Sequence, residues 1–277
     1  MTAVRKLWPL LVGSIGYDKS MSIRHLPQGE TVEAPILAYL IETTNGRILY
    51  DVGCDYAKLA DPALSARFYD AAHFPFGPPV VTDEQRLDAR LAKLGLGGAD
   101  IDIAFLGHLH FDHAGGVGDL PGCEVHVQRA ELDAALSGAD GGVFTDELAG
   151  HAGWRVRDGE YSLVEGVDAI ATPGHTAGHM SMRIVLPTGA PVVLCGDAAD
   201  LVENLDRELA PGLLWRGVPG AEGIASIADA DAEATALASI RKLKALAASD
   251  GAELWPNHDF GFYRRLECRC PFPAHHA

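Results

Sequence analysis

Residues 106–116 read LGHLHFDHAGG, and four of them, His108, His110, Asp112 and His113, crowd metal-binding side chains into six consecutive positions. Imidazoles mixed with a carboxylate suit a divalent ion of the zinc type, and manganese, iron or cobalt accept the same set. The segment follows an apolar run and is expected to begin as a strand, where residues two apart share a face, so His108 and His110 point together at one ion. Gly115-Gly116 would then let the chain turn sharply, which places Asp112 and His113 better for a second ion. A zinc-type ion takes about four ligands, and a hydrolytic one keeps a position open for water, so this cluster alone completes neither site. Three further candidates stand out: His175 in TPGHTAGH, Asp197 in CGD and His258 in PNHD. His25, His73, His126 and His151 read as isolated surface or core histidines, and His275-His276 as a feature of the tail.

The elements that must position these residues follow from pattern. The N-terminal VRKLWPLLVGSIG has the charge and apolar run of a short signal peptide, but Pro9 and Gly13 interrupt it, and a first buried strand is the better reading. PILAYLIETTNGRILY (35–50) holds two apolar runs around Asn45-Gly46, a strong hairpin signal, and its second strand delivers Asp51 at its end. Residues 55–81 read as an irregular loop with HFPFGPP near its end, a candidate lid or substrate wall. TDEQRLDARLAKLG (82–95) reads as a helix with Thr82 as N-cap and Gly95 at its end, and IDIAFLGH as the strand that leads into the histidine cluster. CEVHV is a further strand and RAELDAALSG a helix; strand-like runs then lead through YSLVEGVDAIATPGH to His175. SMRIVLP and PVVLCGD follow as strands, the latter ending at Asp197. Residues 229–247 form a long helix in which Ala234, Leu237, Ile240, Leu243 and Leu246 recur every third position, and AELWPNHD a last strand ending at His258. Asp51, the His108 cluster, His175, Asp197 and His258 all come just after strands. The chain therefore reads as α/β with mixed sheets whose strand ends converge along one edge.

Composition bounds the partners. The 277 residues read as one domain, 1–277, with 48% hydrophobic residues to build its core. A net charge of −16 opposes binding to a polyanion, so nucleic acid is not an expected partner. No run reaches the ~18 apolar residues of a membrane span. Five cysteines, an odd number and mostly far apart, do not form a disulfide framework, and Cys268-Arg-Cys270 has the wrong spacing for a redox or zinc pair. A cytoplasmic protein, monomeric or homodimeric, is the expectation.

HLHFDHAGG resembles the H-x-H-x-D-H motif of the metallo-β-lactamase fold superfamily, and the resemblance runs along the chain. ILYDVG is similar to the strand carrying the first motif Asp, TPGHTAGHMSM to the third motif, GDAAD to the fourth and PNHD to the fifth, in the family's order over about residues 35–260. The resemblance implies a four-layer αββα sandwich, two mixed β-sheets with helices on their outer faces, and two metal ions at one edge. It implies that His108, His110 and His175 hold the first ion, that Asp112, His113 and His258 hold the second, and that Asp197 bridges them. Asp51 would support ligands from behind, as would His179. Two such cations, zinc foremost, would make hydroxide available for attack on a carbonyl, and Asp112 would carry a proton to the leaving group.

Within the superfamily, the Asp at 197 separates the chain from the antibiotic-degrading β-lactamases, and its length leaves little room for the extra domains of the flavodiiron and RNA-cleaving branches. HFDHAGG and TPGH-T-x-GH-x-S most resemble the branch that includes the N-acyl homoserine lactone hydrolases, which implies a small lactone or related ester as substrate. Thioester hydrolases of the glyoxalase II type share the motifs, but only 19 residues follow His258, too few for their C-terminal helices. Other ester or phosphoester hydrolases and iron-dependent dioxygenases on this fold are the remaining alternatives. One departure stands out: where the lactonase branch often carries a Tyr three residues after the bridging Asp, this chain has Asp200. An ionised carboxylate donates no hydrogen bond, so either Asp200 points elsewhere, another Tyr such as Tyr263 or Tyr69 substitutes, or the substrate differs, and a standard acyl homoserine lactone should be turned over below full efficiency. Phe74, Phe76 and Trp215 are candidates to line an apolar pocket, and residues 201–225 to shape specificity.

Overall fold

The computed structural model describes residues 2–138, 140–149, 151–217 and 226–269. Cys270, His275, His276 and the 218–225 part of the proposed specificity segment lie outside the described residues. The chain opens with strands β1 (Val4–Asp18), β2 (Thr31–Thr43) and β3 (Gly46–Tyr50) and helices α1 (Tyr56–Ala60), α2 (Pro62–Phe68) and α3 (Leu87–Lys93). Strand β4 (Ile103–Phe105), helix α4 (Phe111–Ala114), β5 (Glu124–Gln128), α5 (Arg129–Leu136) and β6 (Trp154–Arg157) follow. The rest comprises β7 (Tyr161–Val164), β8 (Val167–Ala171), β9 (Met180–Ile184), β10 (Val192–Leu194), α6 (Val202–Arg207), α7 (Asp229–Asp250), β11 (Glu253–Trp255) and α8 (Phe260–Arg269).

Two mixed sheets result, β1-β2-β3-β4-β5-β6 and β11-β10-β9-β8-β7. β1, β2 and β3 pair antiparallel, and β3 to β6 run parallel. In the second sheet only the β10–β11 pair is parallel. The Asn45-Gly46 turn joins β2 to β3, with Gly46 at φ 118°, a conformation few side chains tolerate. The two-residue period of β2 sorts the layers: Ile36, Ala38 and Leu40 face a core shared with Leu87 and Leu91 of α3 and Ala135 of α5. Leu37, Tyr39 and Ile41 face the second sheet, against Met180, Met182, Leu194 and Trp255. On the far side of that sheet, Val193 and Cys195 pack on Ile240 and Leu243 of α7. Helices thus cover both outer faces of a β-sandwich, and the chain has the metallo-β-lactamase fold.

Several local expectations need correction. The HxHxDH segment does not begin as a strand: β4 ends at Phe105, residues 106–109 form a loop, and His110 is the N-cap of α4. Gly115 and Gly116 do not turn the chain sharply but continue helically; glycine is needed there for close packing, since a Cβ would lie 2.4 Å from Asp55 N and 2.2 Å from Val52 O. Residues 55–81 are not wholly irregular: Asp55 and Asp61 accept hydrogen bonds from the first turns of α1 and α2. Thr82 caps only a turn, with its carbonyl accepting from Gln85 and Arg86, and α3 begins at Leu87. In α7 the buried stripe is Ala232, Ala236, Ser239, Ile240 and Leu243, while Ala234 is exposed, because a spacing of three drifts off the face of a 3.6-residue helix. No helix among the described residues is long and apolar enough to cross a membrane. Cys54, Cys123 and Cys195 are free and buried.

Candidate metal centre

Five strand ends feed one edge of the sandwich. β3 leads to Asp51, β4 to His108, β8 to His175, β10 to Asp197 and β11 to His258. There, ligand atoms of His108, His110 and His175 lie within 4.8 Å of one another, as do those of Asp112, His113 and His258. Asp197 stands between the groups. Its Oδ2 is 3.4 Å from His175 Nε2 and 3.8 Å from His108 Nε2, and its Oδ1 is 3.4 Å from His113 Nε2 and 3.3 Å from His258 Nε2. Asp112 Oδ2 faces His113 Nε2 at 3.6 Å and His258 Nε2 at 3.8 Å.

Two of the clustered imidazoles, His113 and His258, are held from behind. His113 Nδ1 donates to Asp51 Oδ2 at 2.8 Å, and Asp51 Oδ1 accepts the Gly107 N–H, also at 2.8 Å. Asp51 is fully buried and takes φ 57°, which a short polar side chain tolerates better than most. His258 Nδ1 donates to the Pro35 carbonyl of β2 at 2.9 Å. His179 lies behind the centre: its Nε2 accepts the Asp197 backbone N–H, and its Nδ1 bonds Thr172 Oγ1, both at 2.9 Å. Gly196 makes that possible, since a Cβ at its φ of 55° would sit 2.6 Å from His179 Nε2.

Three supporting residues escaped the sequence reading. Asp140 places both carboxylate oxygens 3.2 Å from His110 Nε2, which leaves His110 Nδ1 facing His175 Nε2 at 3.1 Å. Glu131 of α5 accepts the N–H groups of Leu109 (3.0 Å) and Gly178 (2.9 Å), tying the two histidine loops together. Asn257 Nδ2 donates to Asp197 Oδ1 at 3.2 Å. Asn257 at least carried a signal, its place beside His258; Asp140 and Glu131 lie in ordinary acidic surroundings of the sequence.

The electrostatics divide the histidines. Burial, reinforced by the neighbouring imidazoles His113 and His110, holds His108 well below the usual histidine range, and burial brings His175 to about 4. For His258 burial acts the same way, but Asp197, Asp200 and Asp112 overcome it and hold the imidazole up at about 10; His113 is raised by the same kind of acidic surroundings. Asp197 is driven well below the carboxylate range against its own burial, chiefly by His113, His258 and His108. Both nitrogens of His108, Nε2 of His113 and Nδ1 of His175 are buried with no hydrogen-bond partner. Each such atom costs about 1–3 kcal/mol unless something satisfies it. Unpartnered imidazole nitrogens gathered around shared carboxylates are what divalent cations would satisfy, so the donor set fits a pair of them.

A cavity of about 470 Å³ opens onto His110, Asp112, His175, Asp197 and His258. Phe74, Phe111, Leu213, Leu214 and Trp215 supply apolar wall, and Asp200 and Tyr17 also line it. Phe74 and Phe111 belong to an aromatic cluster with Tyr69 and Phe144. The backbone N–H of Trp215 donates to the Gly174 carbonyl, beside His175. Phe76 is 46% exposed and outside the cavity lining, so it drops from the wall residues. Tyr263 packs in the core between the sheets, and Tyr69 in the aromatic cluster; neither lines the cavity or replaces the tyrosine absent at 200. His73, read as an isolated surface histidine, is exposed but sits at the cavity rim.

Comparisons of the sequence and the structure with known proteins identify its relatives. The metallo-beta-lactamase superfamily pattern matches residues 32–250, and the chain belongs to that superfamily. An N-acyl homoserine lactonase of Bacillus sp. is 31% identical over 257 residues, covering 92% of this chain and 94% of the relative. The N-acyl homoserine lactonase AttM of Azorhizobium caulinodans is 27% identical over 94% of both chains. A crystal structure of a B. thuringiensis AiiA variant with N-decanoyl-L-homoserine at its active site superposes with a TM-score of 0.80 at 28% identity, covering 96% of this chain and 97% of that one. An N-acyl homoserine lactone hydrolase with the product N-hexanoyl-L-homoserine at its catalytic metal centre gives 0.80 at 29% identity, with 96% and 97% covered. The chain is a metal-dependent hydrolase of the lactonase-like kind.

Proposed function

We propose that this protein opens lactones, or closely related cyclic esters, by hydrolysis at a centre of two divalent ions. The observation that carries the reading is the convergence of His108, His110 and His175 with Asp112, His113 and His258 around Asp197, beside an apolar-walled cavity. His108, His110 and His175 would hold one ion, Asp112, His113 and His258 the other, and Asp197 both; zinc suits this set best, with manganese, iron or cobalt as alternatives. Two such ions, when bound, supply a water deprotonated near neutral pH and a Lewis acid for the carbonyl. Asp112 accepts the proton of the attacking water and returns it to the ring oxygen as the carbon–oxygen bond breaks. Asp51, Asp140 and Glu131 keep the histidines in register. The apolar wall favours an acyl or alkyl substituent, as in the N-acyl homoserine products bound by the relatives.

The test is a substrate panel of N-acyl homoserine lactones, simple γ- and δ-lactones, thioesters and phosphodiesters, run on zinc-loaded protein with His110→Ala as control. Lactones should be opened faster than the other classes, and the variant should lose at least ~100-fold. Preferred turnover of a thioester or phosphodiester would contradict the lactonase reading, and one iron per chain with oxygen consumption would point to dioxygenase chemistry instead.

A further inference from the structure

We propose that Tyr17 positions the substrate: its phenolic hydroxyl, held from behind by Ser22, donates a hydrogen bond to the carbonyl oxygen of the ester under attack. This rests on the ester-hydrolase reading above. Among the described residues lining the cavity, Tyr17 carries the only hydroxyl. It is 8% exposed at the end of β1, and its ring meets His258 edge-on, with centroids 6.4 Å apart and planes at 84°. The phenol therefore stands against the second metal group rather than out in the apolar part of the cavity.

Its oxygen lies 2.7 Å from Ser22 Oγ, and either atom can donate. When Ser22 donates to the phenol, the phenol's own proton is free to point at a bound carbonyl. Ser22 is fully buried and also within reach of the Asp200 carboxylate, whose Oδ1 has no hydrogen-bond partner. Tyr17 and Asp200 line the cavity as polar residues, with Ser22 buried behind them. A phenol is protonated at neutral pH and is therefore a donor. Position 200 carries no tyrosine, and Tyr17 at the end of β1 supplies a phenolic donor in the same cavity.

A donor aimed at a developing oxyanion acts more on the transition state than on the bound ester. In zinc-loaded full-length protein, Tyr17→Phe should lower kcat for lactone opening by about 10–100-fold and change KM by less than about 3-fold. Zinc content and melting temperature should stay at the wild-type values. The double variant Tyr17→Phe/Ser22→Ala leaves no unpaired buried hydroxyl and should show the same loss; Ser22→Ala alone keeps the phenol but frees it and should lose about 3–10-fold. Wild-type turnover of lactones with kcat of Tyr17→Phe within about 2-fold would overturn this assignment while leaving the function standing. A rate loss matched by loss of zinc would also overturn it, because the tyrosine would then be structural. Absence of lactone turnover in the wild type would instead remove the function, and the assignment with it.

Discussion

Replacing Asp140 by Asn keeps its shape and removes its charge from behind His110. In the metal-free protein the Asp140 carboxyl lies at about 2 instead of 3.8; burial raises it, but the hydrogen bond and charge of His110 outweigh that. At about 1.4 kcal/mol per unit of pH, the pair contributes about 2 kcal/mol of stability to the metal-free chain. The two partners define its window. His110 is raised, against burial, by Asp140, so its share is complete below the ordinary 6.5 and fades as pH climbs through its folded value. Asp140 is depressed, so its share is present above 3.8 and is lost as pH falls toward about 2. Urea denaturation of metal-free wild type and Asp140→Asn should therefore differ by about 2 kcal/mol near pH ~5.5, and by less near pH ~9. With metal present, the carboxylate makes His110 a stronger ligand, and its loss should weaken zinc binding by about 10–100-fold. Equal stability at the acidic pH together with zinc affinity within about 2-fold would refute the reasoning.

Other perturbations probe neighbouring contacts. Gly142→Ala would place a Cβ 2.6 Å from His110 Cδ2, so one of the two ions should be lost or bound ~10-fold more weakly, as read by metal analysis after dialysis. Asp51→Ala leaves His113 Nδ1 and the Gly107 N–H without their shared acceptor, and should destabilise the fold by about 3 kcal/mol in thermal or urea unfolding. His258 and His113 are raised by the surrounding carboxylates and hold protons in the metal-free protein at neutral pH. Loading must displace those protons, so zinc affinity should rise with pH, and calorimetry in buffers of different ionisation heat should show proton release.

The strands of the site were legible because apolar runs end abruptly in His, Asp or Gly: ILY into Asp51, VVL into Cys195-Gly196-Asp197, ELW into Pro256-Asn257-His258. What was not legible depended on tertiary approach. HLH reads as the end of a strand, yet it folds as a loop leading into a helical turn, in which Glu131 takes the Leu109 N–H and the Gly142 carbonyl takes the Phe111 N–H. Asp140 and Glu131 lie 30 and 23 residues from His110 and His108, and no local pattern marks an acid that will face an imidazole after folding. Tyr17 escaped for the same reason. It sits at the end of a strand that reads as core, and only the β1–β2 pairing brings it to His258, whose Nδ1 is held by Pro35 of β2. The every-third spacing in α7 misled because it counts residues instead of degrees around the helix.

In the proposed centre two ions share Asp197, and both are required for turnover. The direct measurement is metal content by mass spectrometry of the purified chain, with lactone-opening rate followed as zinc is removed by chelation and restored stepwise. The expected result is two ions per chain, no turnover without them, and full rate only as the second equivalent is bound. Saturation at one ion per chain with full activity, or undiminished lactone opening by the metal-free protein, would contradict it.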